Sequence, residues 1–207
     1  MKLFWGSTSP YVRKVVVAAA ECGLTNRIEQ VEVFPWDADT KYGEVNPVGK
    51  VPALVTDSGQ TLYDSPVIIE YLDTLHEGSK LIPPTGEARF ERLRIAALGD
   101  GMMDAVILLY SELERRPKEL QWDFWDNRMR NTVNRSLDAL EGDAGTFNPD
   151  QPDIGQITAA VGIGWLEFRK AVLEIDWRTG RPALSAWFDR FSQRPSMTGS
   201  MPKVHVR

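Results

Sequence analysis

The stretch Gly6-Ser7-Thr8-Ser9-Pro10-Tyr11-Val12-Arg13-Lys14 decides the fold, because it reads as a turn from a strand into a helix. The short apolar run Leu3-Phe4-Trp5 precedes it and helix formers from Val15 to Cys22 follow. Ser9 is placed to cap that helix, and Pro10 suits its first position, where a missing N–H has no partner to lose. A helix start presents free backbone N–H groups and partial positive charge, so it favours a phosphate, a carboxylate or a thiolate. A serine–proline pair alone signifies no more than a cap. What the rest of the chain sets beside it carries the reading.

Outward from that turn, residues 1–77 alternate short β-rich runs with helical ones, and the remainder reads as almost continuous helix. Arg27 to Phe34 alternates apolar and charged residues, as a strand with one solvated face does. Pro35 to Pro47 is a polar loop with at most one helical turn, around Thr40 to Glu44. Ala53-Leu54-Val55-Thr56 and Thr61-Leu62-Tyr63 flank Asp57-Ser58-Gly59-Gln60 and predict a hairpin. Asp64-Ser65-Pro66 then opens a second helix, which Gly78 closes.

The Pro-rich segment Leu81-Ile82-Pro83-Pro84-Thr85-Gly86 marks a boundary after which no strand pattern appears. The expected organisation is an α/β domain over residues 1–78, a linker over 79–86 and an all-α domain over 87–207. Helices are predicted from Glu87 to about Arg116, stopped by Pro117, and from about Lys118 to Leu140. Asp153-Ile154-Gly155-Gln156 is a capping-box variant. It opens a nearly uniform apolar helix, Ile157 to Val172, read as the core of the second domain. Arg181-Pro182 starts a last amphipathic helix through Arg194, and the tail after Pro195 is expected to be poorly ordered.

Composition narrows the function classes. The chain has 207 residues, 43% of them hydrophobic, and a formal charge of -5 with no basic stripe, which argues against nucleic acid as a partner. It shows neither a secretory signal nor a membrane span, so the expected compartment is the cytoplasm. Its one cysteine, Cys22, reads as a packed thiol, and with the two histidines, His76 and His205, it is not expected to form a metal cluster. No metal is expected.

Three stretches would meet at one edge of a small mixed sheet: the turn at Ser9, Gly49-Lys50-Val51-Pro52, and Asp64-Ser65. With Pro52 unable to donate, the N–H and C=O of Val51 are available to pair with an extended peptide. A proline after a β-branched residue is also a natural place for a cis bond, although trans is the default isomer. Ser65-Pro66 repeats the Ser9-Pro10 arrangement and suits a carboxylate, and Asp64 suits an ammonium group. Together these features describe a site for a small peptide with one carboxylate, one amine and one further anionic centre. Taken singly, the plainer readings are two helix caps and a solvated Lys50.

In order and spacing, Ser9-Pro10-Tyr11-Val12, Asn46-Pro47-Val48-Gly49-Lys50-Val51-Pro52-Ala53-Leu54 and Leu62-Tyr63-Asp64-Ser65-Pro66-Val67-Ile68-Ile69-Glu70-Tyr71-Leu72 resemble the glutathione S-transferase superfamily, serine type. The resemblance implies a thioredoxin-like first domain with a four-stranded mixed sheet, a helical second domain, glutathione as co-substrate and a homodimer. It implies that Pro52 is cis, that Val51 pairs with the cysteinyl unit of glutathione, that Asp64 and Ser65 hold its γ-glutamyl end, and that Lys50 meets its glycine carboxylate. The family often has Glu where Asp64 stands, and Ser or Thr followed by Asp where Asp153 and Gln156 stand.

Glutaredoxin-like relatives carry Cys-Pro-Tyr-Cys at this helix start; Ser9-Pro10-Tyr11-Val12 lacks both thiols, which excludes dithiol exchange by the protein's own cysteines. Glutathione thiolate would be the nucleophile, held by the Ser9 hydroxyl, with Ser7, Thr8 and Tyr11 as rival donors. The expected reaction is conjugation to a small hydrophobic electrophile. The alternatives are glutathione-dependent isomerisation, dehalogenation or peroxide reduction, or a binding protein that keeps the fold. Tyr11 and the helical positions Met102, Met103, Val106 and Tyr110 are the expected electrophile lining, against the plainer reading of core packing.

Overall fold

A computed structural model of the chain describes residues 1–37 and 40–203; residues 38 and 39 of the polar loop, and His205, lie outside the described residues. The chain divides into two compact units, Pro83–Arg194 and Met1–Ile82 joined by the segment from Pro195.

In the first unit β1 (Lys2–Trp5), β2 (Glu29–Glu32), β3 (Ala53–Val55) and β4 (Thr61–Leu62) form one sheet in the order β2-β1-β3-β4. β1 and β2 run parallel, as a strand–helix–strand crossover requires, and β1–β3 and β3–β4 are antiparallel. The crossover is α1 (Pro10–Glu21), whose apolar face, including Val12, Val15, Val17 and Ala18, is almost wholly buried. α2 (Ser65–Asp73) follows β4 and packs on α1 through Ile68, Ile69 and Leu72. In the loop before β3 the predicted turn is a short 3-10 segment, Tyr42–Glu44.

Expected disorder after Pro195 gives way to a fitted segment. α8 (Pro195–Thr198) packs against α1, and Met197 is 1% exposed. The reason lies in α1: the buried Arg13 guanidinium donates to the Met197 carbonyl at 3.1 Å and to Ser200 Oγ at 3.4 Å. Burial lowers the Arg13 pKa to about 10, so the carbonyl is there to offset a desolvated cation. A short polar tail has no periodicity from which such a partner can be read. The second unit therefore ends at Arg194, short of the expected residue 207.

The second unit is helical: α3 (Glu87–Glu114), α4 (Asp123–Asp143), α5 (Ile154–Phe168), α6 (Lys170–Leu173) and α7 (Pro182–Phe191). α5 is buried nearly all round and packs closely on α3. The approach needs glycine: a Cβ on Gly155 would lie 2.9 Å from Ile95 Cβ and 3.1 Å from the Arg92 carbonyl oxygen. Asp153 caps α5 as read, accepting from the Gln156 amide at 2.9 Å and from its side chain at 2.8 Å, but the return bond of a capping box is absent among the described residues, because Gln156 Oε1 accepts from Trp187 Nε1 at 3.2 Å. Two boundaries differ from expectation. α4 starts at Asp123 instead of near Lys118, because Lys118–Leu120 is a 3-10 segment and the buried Glu112 carboxylate takes the Trp122 N–H at 2.8 Å, bending the connection. The long apolar helix breaks at Arg169 into α5 and α6.

Met197→Ala should lower stability by about 2 to 4 kcal/mol, read as a lower urea midpoint at unchanged slope. An unchanged midpoint would return the tail to disorder.

Candidate functional site

The sheet brings three turns to one end. β1 leaves that end toward Ser9; β3, antiparallel to it with Ala53 opposite Phe4, enters there from Val51; and β4, antiparallel to β3, leaves there toward Asp64. A Cβ on Gly6 would lie 3.7 Å from Val51 Cγ2, so the first two turns are in contact.

Ser9 caps α1: its backbone is extended and its Oγ accepts from the Val12 amide at 3.3 Å. It is half-buried. Accepting that bond leaves the hydroxyl proton free to be donated. Ser7, Thr8 and Tyr11, its rivals, are half-buried too.

The Val51–Pro52 peptide bond is cis. Among the described residues the Val51 N–H and C=O carry no backbone hydrogen bond, since strand pairing begins only at Ala53. The segment is held from outside the sheet: the Lys50 carbonyl accepts from Tyr42 Oη at 2.8 Å and from Asn46 Nδ2 at 2.7 Å. Asn46 is buried, and its Oδ1 takes the Val48 N–H at 3.0 Å. Burial pushes the Tyr42 hydroxyl up to about 12, so it stays protonated as a donor. The Lys50 side chain is exposed. Sequence reasoning quoted Asn46 within a motif but gave it no task, and passed over Tyr42; a polar side chain six residues before the proline that precedes β3 is the signal that marks Asn46.

Asp64 caps α2, its carboxylate accepting from the Ser65 amide, and the Tyr63–Asp64 bond is also cis. Ser65 is 0% exposed, yet its Oγ has no hydrogen-bond partner. Buried hydroxyls are nearly always paired, so this one marks a place prepared for something polar at the α2 N-terminus.

The expected lining fares differently. Met102, Met103 and Val106 are at most 1% exposed and belong to the α3–α5 core, so they do not form an open surface. Helical spacing identifies the buried stripe but cannot tell a core from a cleft. Tyr110 is half-buried, edge-on to Trp165 at 5.6 Å.

Cys22 and His76 do lie together in one cluster, with Asp73 as the third member: ligand-type atoms of the three lie within 4.8 Å of one another. Asp73 completes it, a residue that an inventory of cysteine and histidine overlooks. Its atoms are already engaged. Asp73 accepts from the Leu81 and Ile82 amides at 2.8 and 3.0 Å and from His76 Nε2 at 3.0 Å, while His76 Nδ1 accepts from the Gly78 amide at 3.1 Å. The group ties the chain leaving α2. Burial first, then the Asp73 charge, pushes the Cys22 thiol up to about 12.

Against this geometry the comparisons are consistent. The family descriptions "Glutathione S-transferase, N-terminal domain" and "Glutathione S-transferase, C-terminal domain" match residues 8–75 and 111–190. The chain is 35% identical over 204 residues to the GST-like protein YibF of Escherichia coli, covering 98% of each. A glutathione transferase family member from Pseudomonas fluorescens Pf-5 with bound glutathione is 44% identical, with a TM-score of 0.92 over 98% of this chain and 99% of that one. The same bacterium's protein with bound S-(propanoic acid)-glutathione matches at a TM-score of 0.89 and 44% identity, covering 99% of this chain and 100% of that one. A maleylacetoacetate isomerase of Pseudomonas aeruginosa is 35% identical over 103 residues, 47% of this chain and 48% of that one. The chain belongs to the glutathione S-transferase family, and its thioredoxin-like first unit and helical second unit are that family's fold.

Two outcomes check the site without any ligand. Ser65→Ala removes a hydroxyl that bonds to nothing, so stability should stay level or rise by up to about 1 kcal/mol; a loss above about 1 kcal/mol would reveal a structural partner. Cys22 should resist a disulfide reagent at pH 8 in the native state and react on unfolding. Because its folded pKa of about 12 exceeds the ordinary 9.0, its contribution to stability is whole below pH 9 and is lost as pH rises toward 12, which alkaline urea titrations should register.

Proposed function

We propose that this protein is a glutathione transferase that adds glutathione thiolate to a small hydrophobic electrophile. The observation that carries the reading is the unpaired Val51 N–H and C=O at the sheet end where α1 begins. An extended cysteinyl backbone pairs there as an added strand, which brings its sulfur toward a helix start. The γ-glutamyl carboxylate takes the orphaned Ser65 hydroxyl and the Val67 amide at the start of α2, its ammonium group takes Asp64, and the glycine carboxylate takes Lys50. Pro52, the residue before β3, contributes no N–H of its own to the sheet.

The chemistry then falls to Ser9. Its proton is donated to the sulfur while its oxygen stays on the Val12 amide, so the same side chain caps the helix and favours the thiolate. A thiol begins near pKa 8.5, and one charge-assisted hydrogen bond with the helix N-terminus lowers it by roughly one to two units, about 1.4 to 2.7 kcal/mol. Most of the bound sulfur is then ionised near neutral pH. Tyr11, also at this helix start, is a lining candidate that remains half-buried.

Bound glutathione in the Pseudomonas fluorescens relative supports the co-substrate, and its carboxylated conjugate supports thioether formation as the chemistry. The isomerase relative favours a second reading in which the same thiolate adds and leaves again, with no net conjugation. Product analysis separates the two: a stable thioether supports transfer, and a rearranged substrate with glutathione regained supports isomerisation.

Ser9→Ala should raise the pKa of bound glutathione by up to about one unit in an ultraviolet titration, the helix N-terminus keeping the rest of the shift, and cut kcat/KM about tenfold. If the titration stays put while Ser7→Ala or Tyr11→Phe shifts it, Ser9 is a cap and the thiol donor is that rival.

A further inference from the structure

The loop after β2 begins and ends at the same sheet end as the three turns, and it carries two exposed aromatic rings. β2 runs parallel to β1, so both strands leave the sheet there. The Val33 N–H donates to the Trp5 carbonyl at 2.9 Å, and a Cβ on Gly6 would lie 3.7 Å from the Val33 carbonyl oxygen, the same distance as from Val51 Cγ2. The Gly6 carbonyl in turn accepts from the Ser9 amide at 3.1 Å. Val33, Val51 and Ser9 therefore surround one glycine. The far side of the loop is tied to the same place, because Tyr42 donates to the Lys50 carbonyl at 2.8 Å and its ring lies 5.9 Å from that of Phe4.

Between those anchors lies Phe34-Pro35-Trp36-Asp37, a turn closed by the Asp37 amide on the Phe34 carbonyl at 3.0 Å. Pro35 presets its second position. Phe34 is 40% exposed and Trp36 is 78% exposed. Trp36 follows Val33 by three residues, so its backbone stays within about 11 Å of the Gly6 contact. A single exposed apolar side chain is ordinary, but two rings on one proline-led turn, at the rim of this sheet end, form a patch that the apolar body of a ligand covers. An indole has a flat face and only two side-chain torsions, so it offers a large contact at small entropic cost. A flat aryl group stacks on that face, whereas an alkyl chain must give up its own rotamer freedom to lie along it. A reading of Pro35 to Pro47 as a polar loop passed over Trp36.

We infer that Trp36, with Phe34 beside it, is a specificity residue that receives the body of the electrophile at the glutathione sulfur and favours a flat aryl group over an alkyl chain. The inference rests on the glutathione reading. It deepens that reading by naming the residue that meets the electrophile and the shape it selects. Every group it invokes belongs to the first unit, from Gly6 and Ser9 to Val51.

The test is titration calorimetry on the full chain with glutathione, S-phenylglutathione and S-hexylglutathione, whose added groups have equal carbon counts. The phenyl-to-hexyl affinity ratio should fall about fivefold in Trp36→Ala, fall less in Phe34→Ala and stay near the wild-type value in Trp36→Phe, while glutathione itself binds within about twofold of wild type in all three. An unchanged ratio in Trp36→Ala would overturn the proposal and leave the glutathione reading standing. So would an equal loss for all three ligands, which would assign the ring to the tripeptide. Failure of the wild type to bind glutathione would remove that reading and this one with it. Should Trp36→Ala not fold, Trp36→Gln, which keeps a flat side-chain end without an aromatic face, is read in the same way.

Discussion

Two hydrogen bonds to one oxygen set the geometry on which the site depends. Tyr42 Oη and Asn46 Nδ2 both donate to the Lys50 carbonyl, at 2.8 and 2.7 Å, and so fix the chain one residue before Val51. From the other side, pairing of Ala53 with Phe4 fixes it two residues after. Val51 and Pro52 are suspended between the anchors. A loop residue with an unpaired N–H and C=O normally relaxes toward water or a neighbouring strand. Here neither end can move, so the unpaired groups stay where a guest backbone can find them. Burial of Tyr42 belongs to the same device, because a hydroxyl held near pKa 12 donates at any physiological pH.

The two helix starts use proline to similar effect with opposite emphasis. At Ser9-Pro10 the cap oxygen is occupied by Val12 and its proton is spare. At Asp64-Ser65-Pro66 the cap is Asp64, and the hydroxyl inside it, Ser65, is buried with nothing to bond. An orphaned buried hydroxyl costs about 1 to 3 kcal/mol in a folded protein. A chain selected for stability alone would carry alanine there. The Cys22, Asp73 and His76 group is the contrast: its polar atoms are paired in tying down the linker, so it serves the fold.

What was legible in the sequence was local. Ser9-Pro10, the Asp57 to Gln60 hairpin turn, the Asp153 cap and the proline-rich boundary each depend on residues within a few positions of one another, and each is present. What escaped depends on distant partners. The Pro195 segment is ordered by Arg13, far back in the chain, and α4 starts late because Glu112 takes the Trp122 amide. Met102, Met103 and Val106 carry the same periodicity whether they face a cleft or α5, and only their burial in the folded chain decides for the core. Order and spacing made the proposed glutathione end readable because three short motifs converge on one sheet edge. The electrophile side had no such motif.

That asymmetry has a physical origin. Glutathione is a fixed ligand with backbone groups and charges at set spacings, so the residues that meet it stay at set places on a rigid sheet end. An electrophile is chosen by side chains on helices, where one turn of rotation moves a residue from core to surface and leaves the hydrophobic pattern intact. In this chain the pattern breaks where the apolar run from Ile154 stops, at Arg169, whose guanidinium lies over the rings of Phe168 and Tyr110 and so is held by the contacts of its own unit.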